Sequence, residues 1–181
     1  KQRSPKNSLR TNANVNTLTL LEGDYDANTA PVLLTMEDAG ELIATEGLKA
    51  LFYSSASDTP EEPHWRIIVP LAEPYSGTME ELKAYRNEQL AKINGVLQGA
   101  LAPESFTLSQ AYYFGSINGR PPARTIVLPG DHVDQRDDLP RIPRKDLVVN
   151  QQQRGAYAAE FVAEHPADVI RAQRGRRCEG E

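Results

Sequence analysis

Apolar and polar positions change period several times along the chain. Residues 16–22, NTLTLLE, form an apolar run suited to a strand, followed by GDYDANTAP, whose Gly, Asn and Pro are turn formers. From Met36 the spacing becomes helical. Met36, Ala39, Ile43, Ala44 and Leu48 recur on one face, and Thr35 with Asp38 three residues on supplies the start signal. ALFYSS (50–55) reads as a second strand and, after the polar loop ASDTPEEP, HWRIIVPL (64–71) reads as a third. Strand, helix, strand makes a crossover unit, which places strands side by side and gathers their ends and following loops at one rim of the sheet. A second helix begins at Thr78, where Glu81 completes a capping box, and carries Leu82, Tyr85, Ile93, Val96 and Leu97 on one face. FTLSQAYYFGSI and ARTIVLPG suggest two more strands flanking the turn NGRPP, whereas DHVDQRDDLPRIPRKD has too many charges and prolines for a buried element. AYAAEFVAEH suits a short amphipathic helix, and RAQRGRRCEGE reads as a disordered tail or linker.

The pattern predicts an α/β (α+β) fold: a mixed β-sheet with flanking helices over residues 16–145. A basic arm precedes it (1–15), and a C-terminal helix with a linker tail follows (146–181). With 181 residues, 39% of them hydrophobic, the chain can bury one sizeable core. A net charge of -5 argues against a protein that grips nucleic acid over its whole surface, so a nucleic-acid contact requires a local basic patch. Cys178 is the single cysteine, which excludes a disulfide framework and a cysteine-based zinc site. The absence of a signal-peptide core and of any membrane-spanning run fits a cytoplasmic protein with no membrane partner.

Candidate chemistry starts at LTLLEGDYDAN, where Asp24 and Asp26 lie one residue apart. If the strand continues through Tyr25, both acids project from one sheet face. Two like charges that close repel, so the pair is either a cation site or a solvated polar turn. Four segments in order, SLRTNANV, LLEGDYDA, YSSASDTPEEPHWRIIVPL and LAPESFTLSQAYYFG, together resemble the archaeo-eukaryotic primase superfamily. The likeness is greatest to the primase-polymerases encoded by phages, prophages and plasmids. It covers roughly residues 8–140 and is most specific from Tyr53 to Leu71.

The resemblance implies a primase-polymerase catalytic core and template-directed nucleotidyl transfer by a DNA primase or polymerase. It implies Mg²⁺ or Mn²⁺ held by Asp24, Asp26 and a third acid, for which Glu104 is the candidate in APESFTLSQ and Asp131 the alternative. Arg66, in HWRIIVPL, matches the position that binds the incoming triphosphate, and its alternation with Trp65 puts the two side chains on opposite faces. The family's Ser-x-His motif falls on SASDTPE, where Asp58 stands in place of the histidine. An anion there repels a triphosphate unless a metal or a nearby Arg intervenes. Ser55, Ser57 and His64 are further nucleotide-binding candidates. Gln110, Tyr112 and Tyr113 match a strand beside the cleft, where only one of the two tyrosines can face it, and Arg10 with Asn12 and Asn14 occupies the place of a basic segment touching nucleic acid. The implied partners are a single-stranded template or primer, a dNTP or NTP, and a helicase domain or protein. Two rival readings remain: a catalytically degenerate nucleic-acid-binding replication module, favoured by Asp58, and a metal-dependent nuclease using the same acids. The chain has no phosphate-binding Gly-x-x-x-x-Gly-Lys-Ser/Thr loop and no Gly-x-Ser-x-Gly elbow, and His64, His132 and His165 are not spaced as a zinc site.

Overall fold

In the computed structural model, which describes residues 1–112 and 122–144, the first apolar run extends beyond its turn formers: strand β1 (Thr17–Asp26) continues through Gly23. A Cβ at Gly23 would stand 2.9 Å from side-chain atoms of both Ile67 and Leu101. This glycine therefore serves close packing under Leu101, and the turn comes only after Asp26. Helix α1 (Met36–Thr45) follows, with the Thr35 side chain accepting from the Asp38 N–H. Strands β2 (Ala50–Ser54) and β3 (His64–Ser76), helix α2 (Met79–Val96) and strand β4 (Thr125–Leu128) complete the regular elements among the described residues. Helix α2 opens with the complete Thr78–Glu81 capping box.

The strands are ordered β1-β3-β2-β4, and every hydrogen-bonded pair among them is antiparallel. The mixed sheet expected from the sequence is therefore corrected. β3 returns as a hairpin partner of β2 and occupies the gap between β1 and β2, so those two run parallel to each other but one strand apart. The class is α+β. Other expectations also change. Ala44 is exposed, because α1 turns Met36, Ala39, Gly40 and Ile43 inward. Residues 106–112 form no strand, since Phe106 closes a 3₁₀ turn (Pro103–Phe106). Tyr113, the rest of that expected strand, and the expected helix and tail beyond 144 lie outside the described residues.

Strand alternation separates two faces. On one, Leu21, Tyr25, Phe52, Trp65, Ile67 and Val69 are buried against apolar residues of the helices. Tyr25 and Trp65 stack with ring centroids 4.6 Å apart, a geometry worth about 0.5–1.5 kcal/mol beyond the area buried. Their polar tips are satisfied as well. The Tyr25 phenol donates to Val32 O and accepts from Leu34 N, while Trp65 Nε1 donates to Leu34 O, which fixes the approach to α1. The other face carries Leu20, Glu22, Asp24 and Asp26 from β1, His64, Arg66 and Ile68 from β3, and Leu51 and Tyr53 from β2.

Segment 131–144 is irregular, as its prolines require, yet it buries Val133 and Leu139 and straps α2 to the sheet. Asp134 accepts from Ala72 N, Lys92 reaches Asp137 at 3.1 Å, and Asn94 donates to Ile142 O. The N-terminal residues are mostly exposed but carry their own hydrogen bonds. Asn14 bonds Gln2 and Leu9, and Asn12 accepts from Ser109 N at 3.0 Å. Among the described residues no helix is long and apolar enough to cross a membrane.

Candidate functional site on the sheet face

Asp24 and Arg66 are direct cross-strand partners in the β1–β3 register, and Tyr53 of β2 stands opposite Arg66 on its other side. Both backbone groups of Asp24 point away from β3: its N–H donates to Ser105 Oγ (2.9 Å) and its carbonyl accepts from Ala102 N (2.8 Å). The pair is therefore of the non-hydrogen-bonded antiparallel kind, in which side chains stand closest. Arg66 Nε donates to Asp24 Oδ1 at 2.7 Å, with both side chains about one-fifth exposed. The guanidinium carbon lies 5.3 Å from the Tyr112 ring centroid and 5.9 Å from that of Tyr53, within cation–π range of both. Trp65 is buried on the opposite face, as alternation requires.

One step along the strands, Asp26 faces His64, with Nδ1 3.6 Å from Oδ1. Asp58 faces this rim as a bonded group. One of its oxygens accepts from His64 N and the other from Arg124 Nη2, both at 2.9 Å, and its side chain is nearly buried. The arginine that an anion at this position would need is thus Arg124, which also pairs with Glu37 of α1. The bond to Asp58 is the first cause of Arg124 titrating above its ordinary range. Ser55 and Ser57 share a hydroxyl–hydroxyl bond of 2.9 Å, and Ser55 and Asp58 line a cavity of about 380 Å³ with Thr35 and Arg124.

Burial raises the Asp24 pKa, against the lowering effect of Arg66, and the charges of Glu104 and Asp26 raise it further. Glu104 is exposed on the 3₁₀ turn that caps the β1 edge, near enough to influence Asp24 electrostatically. Among the described residues, no group of three His, Cys, Asp or Glu side chains converges as a ready-made metal cage. The donor chemistry nevertheless fits a hard cation. Two aspartates on one strand face supply the one or two carboxylates that Mg²⁺ typically uses, with waters and substrate phosphates completing its shell. Asp131 does not join them. It pairs with Leu48 beyond the far ends of β2 and β4 and lies 3.7 Å from Arg136.

The structure adds Glu22, Tyr53, Arg86 and Arg124 to the residues read from sequence. Glu22 follows the same parity as the aspartates, and burial raises its pKa despite Arg86 and Arg66 nearby. Arg86, almost fully buried on α2, donates to Glu22 O at 3.2 Å and, among the described residues, has no partner for its Nε; burial lowers its pKa. Tyr112 closes this side. Among the described residues its phenol has no hydrogen-bond partner of good geometry, although Ser105 lies beside it, and burial pushes its pKa up to about 12. Arg10 and Gln110 line a separate groove of about 310 Å³ with Leu9, Val15 and Leu108. The chain matches no protein-family model, no curated protein and no solved structure.

Proposed function

We propose that the chain is the nucleotidyl-transfer domain of a primase-polymerase that extends or starts a strand on a single-stranded template from dNTPs or NTPs, alongside a helicase domain or protein. The observation that carries this reading is the grouping of Asp24, Asp26, His64 and Arg66 on adjacent strands of one half-exposed face. Asp24 and Asp26 are the residues that would hold Mg²⁺ or Mn²⁺, which when bound activates the attacking hydroxyl and offsets charge on the transferring phosphate. Arg66 offers a planar set of donors suited to phosphate oxygens, and the rings of Tyr53 and Tyr112 lie within cation–π range of its guanidinium. His64, Ser55 and Ser57 add donors at the same rim. Asp58 does not act as a bare anion there, because His64 N and Arg124 take up its two oxygens.

The test is incorporation of labelled nucleotides on a single-stranded template, with and without primer, in Mg²⁺ or Mn²⁺. Wild type is expected to synthesise and Asp24→Ala to fall to background. Asp58→His is expected to lower synthesis, since it removes the acceptor shared by His64 N and Arg124. No synthesis by a folded wild type that binds DNA would overturn the proposal in favour of a binding module. DNA breakdown in metal without nucleotides would point instead to a nuclease.

A further inference from the structure

We infer that the Asp24–Arg66 ion pair couples the two halves of the site, so that a divalent cation at Asp24 and a phosphate group at Arg66 promote each other's binding. The inference rests on the nucleotidyl-transfer reading and specifies how that site is loaded. Arg66 Nε occupies Asp24 Oδ1 at 2.7 Å, and the pair is mostly shielded from water. The oxygen that receives this bond is not free for a cation, and the nitrogen that gives it is not free for a phosphate. The rings of Tyr53 and Tyr112 also lie within cation–π range of Arg66. A cation that takes Oδ1, or a phosphate that takes Nε, opens the pair when it arrives alone and leaves one part-buried charge without its partner, which is unfavourable. When both arrive, the pair opens once and each charge gains a replacement. The cation takes the place of the guanidinium beside Asp24, and the phosphate takes the place of the carboxylate beside Arg66. Linkage requires the effect to be equal in both directions.

Glu22 provides the control for a general field effect. Its carboxylate projects from the same face of β1 and influences Arg66 across space, but Asp24 holds the direct bond. The experiment measures Mn²⁺ binding by electron paramagnetic resonance and phenyl phosphate binding by calorimetry, each with and without the other. Phenyl phosphate is a monoester that chelates cations weakly, and dimethyl phosphate in a parallel arm represents the diester of a strand backbone. Coupling with the monoester alone assigns Arg66 to a nucleotide's terminal phosphate, and coupling with both extends its role to the strand.

Each ligand is expected to tighten the other's dissociation constant by about tenfold, within the usual range for coupled sites. Arg66→Gln is expected to tighten Mn²⁺ binding in the absence of anion, and Asp24→Asn to tighten phenyl phosphate binding in the absence of cation. Both variants should abolish the coupling, while Glu22→Gln keeps it. Independent binding of the two ligands by wild type would overturn the inference and leave the nucleotidyl-transfer reading in place, as would a loss of coupling in Glu22→Gln as complete as in Asp24→Asn. Failure of wild type to bind either ligand would overturn both.

Discussion

Glu22 illustrates how the face loads individual residues. Burial is the largest influence on its carboxyl and raises the pKa above the ordinary 4.5, outweighing Arg86 and Arg66. In the pH interval just above 4.5 the folded chain therefore holds this proton more than the unfolded chain does, and the stability linked to it is lost as pH rises through that interval. Glu22→Gln lacks this loss. Urea unfolding should show the variant more stable than wild type at pH 7 by under about 1 kcal/mol, allowing for solvent screening, with the difference shrinking as pH falls through the interval just above 4.5 and gone below it. A variant less stable than wild type at pH 7 would show that the carboxylate makes a net favourable contact. Asp58 is different. Its two oxygens are matched to His64 N and Arg124, so the residue that departs most from the primase pattern is built into the loop between β2 and β3. Position 58 could be read from the chain, but Arg124 could not, because the partner lies 66 residues away and only the β2–β4 pairing brings it close.

Among the elements, the two helix starts were the most legible, since Thr35 with Asp38 and Thr78 with Glu81 are local signals independent of tertiary packing. The buried polar residues of α2 were not. They include Arg86, Lys92 and Asn94, which find partners in other segments: Glu22 O for Arg86, Asp137 for Lys92, Leu101 N and Ile142 O for Asn94. A periodicity of apolar residues has no means of showing such partners. Gly95 marks the tightest point of this docking. A Cβ there would stand 2.2 Å from the carbonyl oxygen of Pro140 and 2.5 Å from its carbon, both backbone atoms. No side chain can yield to make room. Gly95→Ala should therefore destabilise the fold by at least about 2 kcal/mol, read from the shift of the urea midpoint at unchanged slope. An unchanged midpoint would mean that segment 131–144 moves off α2 without loss.

At the scale of the molecule, strand parity carried most of what was correctly foreseen. Once β1 is a strand through Asp26, alternation alone sends Asp24 and Asp26 to one face, and the same rule sends Arg66 away from Trp65. Parity does not reveal which strand lies next to which. The insertion of β3 between β1 and β2 converts the expected mixed sheet into an antiparallel one, and that same insertion sets Arg66 directly against Asp24. Had β1 and β2 been neighbours, Arg66 would not have stood directly across from Asp24. The site thus depends on a topological feature that no local signal encodes.

The most direct measurement is the location of a bound cation, followed by amide-resolved NMR of the ¹⁵N-labelled protein during Mn²⁺ addition. The account predicts paramagnetic broadening centred on Gly23–Asp26 of β1 and His64–Arg66 of β3, and its loss in Asp24→Asn. Broadening centred instead on the cavity beside α1, at Thr35 and Arg124, or on the exposed acids of segment 131–144, would contradict it.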